Sequence, residues 1–108
     1  MYIHLIYKLE MDFQYLYRDL LFVWDPAKAS ENRSKHGVSF EDACQVFFDD
    51  ASVYVDATAD EESRSAVIGL NEQARILYVV HVVRQQETIR IISAREASKQ
   101  EEAIYEDG

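Results

Sequence analysis

Residues 75–93, RILYVVHVVRQQETIRIIS, decide the fold class. Ile76 to Val83 is apolar at almost every position, so both faces of that segment need cover. Strict alternation would mark a strand with one wet face, whereas an unbroken β-branched run marks a central strand. Gln85 to Glu87 is a short polar link, and Thr88 to Ser93 is β-branched again. Two strands joined so tightly pair antiparallel. Upstream, SVYVDA (52–57) and RSAVIGL (64–70) have the same character. The acidic TADEES (58–63) reads as the turn between them, and NEQA (71–74) as the turn into the central strand. The expectation is an antiparallel sheet of about four strands within residues 52–93.

Helices flank this sheet. Ser39 with Asp42 three residues on is a capping-box variant, and Phe40, Ala43, Cys44 and Phe47 then recur at core spacing, predicting a helix over 39–49. Before it, WDPAKASENRSKHGVSF (24–40) marks a helix over 26–36 at both ends. Asp25 is an N-cap, Pro26 suits the first helical position, and Gly37 supplies a left-handed stop. Its only apolar residues between the caps are Ala27 and Ala29, so Trp24 and Val38 must anchor it from its ends. Lys28, Asn32 and Lys35 form one polar stripe, either a solvated face or a cationic surface with a use. SARE (93–96) is a full capping box, predicting a last helix over 94–105 with a weak apolar face and a loose hold. Arg95 would then sit in the first turn, where the helix dipole disfavours a cation. Either an anion binds there, or Arg95 pairs with Glu96 or Glu62. At the N-terminus, residues 1–10 read as a strand and residues 12–20 as a short helix with Phe13, Leu16, Tyr17 and Leu20 on one face. LLFVW (20–24) reads as a short buried strand. The class is α+β, with two helices before the sheet and one after it.

Composition bounds the function. A chain of 108 residues with 48% hydrophobic content is one domain with a modest core. The net charge of −9 repels phosphate at long range, so any phosphate-binding role needs a local cationic cluster. Cys44, the single cysteine, excludes an internal disulfide and leaves zinc without its usual ligands. It reads as a small buried hydrophobe. His81 shares a phase with Leu77, Val79 and Val83, as a core histidine or a catalyst. There is no transmembrane-length apolar run and no secretory-signal pattern, so a cytoplasmic protein without membrane contact is expected.

Four motifs in order carry a resemblance. They are W-D-x-x-K at Trp24, Asp25 and Lys28; N-x-x-K-H-G-V-x-F from Asn32 to Phe40; E-x-R at Glu62 and Arg64; and R-I-I-S-A-R-x-A from Arg90 to Ala97. Together they resemble the BrnT family, the toxin half of BrnT–BrnA toxin–antitoxin systems. The resemblance covers residues 22–105 and implies a RelE-like fold and a ribonuclease that arrests translation. It implies a ribbon–helix–helix BrnA-like antitoxin as partner, RNA as substrate, and DNA contact only through the antitoxin. No metal or cofactor is implied. Carried over residue by residue, the resemblance assigns catalysis to Lys35, His36, Arg64 and Arg95. Trp24, Lys28, Arg84 and Arg90 become substrate-binding residues, and Asp25 and Glu62 supporting ones. Residues 1–21 are an extension before the BrnT-like domain at 22–108, or follow an upstream start with Met11 nearer the true one. The acidic last helix, with only Lys99 as a cation, also departs from the family.

The residue types suit such chemistry. Cleavage through the 2′-hydroxyl needs a proton acceptor, donors for the phosphorane oxygens and help for the leaving 5′-oxygen. Arginine meets phosphate oxygens with a paired fork, lysine with a point charge, and histidine exchanges protons near neutrality. Two other readings stand beside it: a partner-binding domain that has lost catalysis, and an acidic mimic of nucleic acid.

Overall fold

The computed structural model describes residues 11–58 and 63–108. In chain order these form β1 (Phe13–Tyr17), β2 (Leu20–Trp24), α1 (Pro26–His36) and α2 (Phe40–Cys44), which runs into a 3-10 turn at Gln45–Phe48. Then come β3 (Val53–Asp56), β4 (Ser65–Leu70), β5 (Ile76–Val83), a 3-10 turn at Gln85–Glu87, β6 (Ile89–Glu96) and α3 (Lys99–Asp107). The four expected strands form an antiparallel ladder, β3 to β6. The sheet nevertheless has six strands, ordered β1-β2-β6-β5-β4-β3, and is mixed rather than wholly antiparallel. β2 runs parallel to β6 over two pairs only, Phe22 with Ile89 and Val23 with Arg90, before the chain turns into α1.

The expected helix over 12–20 is instead a hairpin. Phe13, Tyr15 and Tyr17 alternate and line up on one side, with Tyr15 and Tyr17 stacked at 5.9 Å. Arg18 and Asp19 take φ of 51° and 75°, the two left-handed residues of a tight hairpin turn. Helical spacing and strand alternation coexist in this segment. Pairing with β2, from Phe13–Trp24 to Tyr17–Leu20, selects the strand. The strand expected over 1–10 lies outside the described residues.

α1 follows the sequence signals closely. Asp25 Oδ1 accepts from the Ala27 N–H at 2.9 Å, and Gly37 ends the helix at φ 71°. Its one buried residue is Asn32. Beyond Arg90, β6 has lost β2 as a neighbour, and the Asn32 amide takes the vacated place. Asn32 Nδ2 donates to the Ala94 carbonyl at 2.8 Å and to the Val38 carbonyl at 3.0 Å, and the Ala94 N–H donates to Asn32 Oδ1 at 3.1 Å. One side chain thus pairs both backbone groups of a buried strand residue, as a neighbouring strand would.

β6 carries a bulge. Val80 pairs with Ser93 but His81 with Ile91, so Ile92 is the extra residue. The bulge brings Ala94 back to the core side after Ile89 and Ile91. His81 is 2% exposed, edge-on to Phe47 at 4.8 Å, and burial pushes its pKa down, so it is a neutral core histidine. Cys44 is fully buried, which pushes its thiol pKa up and leaves it inert.

The last helix starts later than expected. β6 stays paired with β5 as far as Glu96, opposite Leu77, so Ser93 cannot cap a helix and Arg95 lies on a strand. The capping box is made one turn on, by Ser98 and Glu101. Nor is α3 loosely held. The Arg95 guanidinium donates to both Glu101 oxygens at 2.8 and 2.9 Å and lies over the Tyr78 ring at 4.3 Å. The Tyr105 hydroxyl donates to Asp49 Oδ2 at 2.7 Å. Polar ties replace the apolar face that this helix lacks.

These ties make stability pH-dependent. Burial pushes the Asp49 carboxyl up, but donation from the Leu70 N–H, the Tyr105 hydroxyl and the Ala51 N–H outweighs it, and its pKa is lowered. The hydrogen bond from Arg95 lowers that of Glu101. A carboxylate with a depressed folded pKa stabilises the fold above its unfolded pKa and loses that contribution as pH falls. The unfolding free energy is therefore expected to drop on acidification through and below the usual carboxylate range. Tyr105→Phe should cost about 1 kcal/mol near neutrality and flatten part of that acid slope. Urea unfolding across a pH series checks both, and an unchanged slope would count against the Asp49 tie.

Candidate active site

Two clefts lie side by side where α1 meets β6. The first is lined by Asp25 and Lys28, by Arg64 just ahead of β4, and by Arg90, Ile91 and Ile92 of β6. The second is lined by Lys28, Glu31, Asn32, Lys35 and His36 of α1 and by Ile92 and Ser93. Lys28 and Ile92 belong to both, so one continuous groove runs along α1 over the bulge.

Each cation reaches the groove for a local reason. Lys28 and Lys35 share the α1 stripe with Asn32, and burial of Asn32 against Ala94 turns that stripe toward β6. His36 sits half-buried at the helix end, before the left-handed Gly37. Arg64 is placed by its own backbone. Its N–H donates to Thr58 Oγ1 at 3.2 Å, and its carbonyl accepts from the Ala57 N–H at 3.0 Å. Arg90 lies on β6 beside Val23 and donates to Asp12 Oδ2 at 2.7 Å. Asp25 is partly committed to capping α1.

Of the residues singled out in the sequence, Lys28, Lys35, His36, Arg64, Arg90 and Asp25 therefore line this groove. Three do not. Trp24 is 2% exposed and packs against Phe13, Tyr15 and Phe40, so it offers no surface to a substrate. Arg95 lines neither cleft and holds α3 through Glu101. Arg84 follows β5, where its N–H donates to the Thr88 carbonyl at 2.7 Å, and it also lines neither cleft. Glu62 lies outside the described residues. Sequence reasoning missed Asp12, the partner of Arg90. The alternation of Phe13, Tyr15 and Tyr17 was the signal that could have placed it in a hairpin beside the start of α1. It also missed Ile92, whose place in the groove depends on the bulge.

The first cleft is lined by three cationic side chains, Lys28, Arg64 and Arg90, and the adjoining one by a histidine and a second lysine. That set suits an anion with several oxygens and a proton to move. Among the described residues, no three His, Cys, Asp or Glu side chains cluster as a metal site. No helix among them is long and apolar enough to cross a membrane.

Comparison with known proteins bears on this arrangement. No curated protein matches the chain. Among solved structures, the chain is similar to the Brucella abortus ribonuclease toxin BrnT, with 28% identity and a TM-score of 0.57, over 70% of this chain and 94% of that one. Residues 24–101 match the family described as ribonuclease toxin, BrnT, of type II toxin-antitoxin system. That span holds α1, the groove residues from Asp25 to Ser93 and the whole β3–β6 ladder, and the chain belongs to the BrnT family of ribonuclease toxins.

Proposed function

We propose that this chain is a metal-independent endoribonuclease that arrests translation in the cytoplasm and is neutralised by a ribbon–helix–helix antitoxin of the BrnA type. The observation that carries the reading is the meeting of Lys28, Arg64 and Arg90, from three separate parts of the chain, in one cleft. In this reading the scissile phosphate sits between them. The arginine forks and the lysine ammonium meet the oxygens of the phosphorane, which carries more charge than the ground state. His36, with Lys35 beside it, takes the 2′-hydroxyl proton as the new P–O bond forms. The bond to the 5′-oxygen breaks, and that oxygen takes a proton from water as it leaves. The products are a 2′,3′-cyclic phosphate and a 5′-hydroxyl. DNA is met only through the antitoxin.

The test is cleavage of a short end-labelled RNA by antitoxin-free protein in excess EDTA. Cutting with a 2′,3′-cyclic phosphate end is expected. Loss of cutting in EDTA, restored by a divalent cation, would overturn metal independence.

A second reading is favoured by a specific observation. Arg90 and Arg95 are already matched within the chain by Asp12 and Glu101, on a protein of net charge −9. A BrnT-like domain that binds its partner without cutting RNA would tolerate both pairings. Folded protein that binds a BrnA-like antitoxin but cuts neither free nor ribosome-bound RNA would establish this reading in place of the first.

A further inference from the structure

Asp12 lies outside the residues that match the family, yet it makes a salt bridge to the wall of the groove. Arg90 Nη1 reaches Asp12 Oδ2 at 2.7 Å and Nη2 reaches Oδ1 at 3.4 Å. Both side chains are well sheltered, at 21% exposure for Arg90 and 15% for Asp12. The hairpin explains how they meet. Phe13 pairs with Trp24, and Asp12, one residue earlier, shares a hollow with Asp25 at the start of α1. Val23 pairs with Arg90, and alternation puts Asp12, Gln14, Val23 and Arg90 on one face of the sheet. Arg90 therefore reaches past the end of β2 to a carboxylate just ahead of the edge strand.

The two partners line different hollows. Arg90 lines the cleft with Lys28 and Arg64, but Asp12 does not. Asp12 lines a separate hollow with Met11, Asp25, Pro26 and Ala27, and Asp25 is the residue the two share. The carboxylate thus grips the guanidinium without itself lining the cleft. A guanidinium has five N–H donors, and Asp12 engages one edge of the fork. An anion in the cleft does not have to displace Asp12 to meet the remaining donors.

We infer that Asp12 is a positioning residue, which fixes the Arg90 guanidinium for a phosphate in the cleft. A long arginine side chain loses rotational freedom when it grips an anion, and a carboxylate that has already ordered it removes that cost from the reaction. The N-terminal hairpin then contributes to the site something that residues 24–101 do not contain. The inference rests on the proposed placement of the scissile phosphate.

The experiment compares wild type, Asp12→Asn, Arg90→Ala and the double variant, each assayed where it is folded by thermal melt. The probe is the same short labelled RNA, with kcat and KM determined separately. Asp12→Asn should lower kcat about tenfold with KM within about twofold, since misplacing a catalytic donor acts mainly on the transition state. The double variant should be no slower than Arg90→Ala alone, because Asp12 acts through Arg90. Nitrogen-15 NMR supplies a readout independent of activity. Slow guanidinium rotation should give separate Nη–H signals for Arg90 in the wild type, and these should merge in Asp12→Asn. Asp12→Asn cutting as fast as wild type, or faster, overturns the inference and leaves the cleavage reading standing, as do signals already merged in the wild type. Wild-type activity in Arg90→Ala would instead remove the phosphate from this cleft, and the inference with it.

Discussion

Asn32→Ala is expected to lower the unfolding free energy by about 3 kcal/mol, which for a domain of this size lowers the melting temperature by roughly 10–15 °C. The size follows from what the amide satisfies. It donates to the Ala94 and Val38 carbonyls and accepts from the Ala94 N–H. Ala94 and Val38 are both fully buried. Truncation leaves three backbone groups without these partners, and each unsatisfied buried group costs about 1–3 kcal/mol, less whatever water recovers. Asn32→Asp sharpens the test. It keeps an acceptor for the Ala94 N–H but sets a carboxylate against two carbonyls, so it should be at least as damaging as alanine. Chemical denaturation measures both. A loss below about 1 kcal/mol for alanine would mean that α1 is held chiefly by Trp24 and Val38 at its ends.

Arg64→Ala is expected to lower kcat/KM for RNA about a hundredfold, the range for removing one preorganised donor from a developing oxyanion. Arg64 lines the cleft with Lys28 and Arg90, and its backbone is pinned by Thr58 and Ala57. The side chain is only half-buried, so the fold should survive and antitoxin binding should persist. Arg64→Lys should recover part of the loss, because it keeps the charge but not the planar fork. Single-turnover cleavage of a short RNA, with circular dichroism as the control for folding, makes the measurement. An alanine variant that cuts close to the wild-type rate would take Arg64 out of the mechanism.

The site was legible where its residues lie on one continuous element. Lys28, Lys35 and His36 could be placed together because a capped helix has a fixed period, and the ends of α1 are marked by Asp25, Pro26 and Gly37. Arg64 and Arg90 came from the resemblance alone, since nothing local says that the start of β4 and the start of β6 meet. Trp24 shows the opposite difficulty. Its place in a motif suggested a role at the surface, but an indole beside Phe40 gains more by burial. In the sequence Asn32 is one member of a polar stripe, either a solvated face or a cationic surface with a use. Its burial became visible only once β6 lost its neighbour beyond Arg90 and the Ala94 backbone needed partners.

The last helix shows where local chemistry stops deciding. The chain contains two Ser-x-x-Glu boxes in succession, at 93–96 and 98–101, and either could open a helix. Capping energies act within a few residues and cannot rank them. Pairing with β5 as far as Glu96 ranks them, because residues held extended in a ladder cannot take the helical backbone that a cap at Ser93 would open. The same contest settled residues 13–17, where helical spacing and strand alternation were both present and only β2 could choose. The two caps of α1, the β-branched ladder of residues 53–93 and the α+β class were local matters of backbone preference and periodicity, and the sequence alone determined them. The parallel β2–β6 contact, the bulge at Ile92 and the salt bridge from Asp12 to Arg90 join parts of the chain up to 78 residues apart. They are decided by which buried backbone groups and charges find partners once the sheet has assembled, so they belong to the tertiary structure.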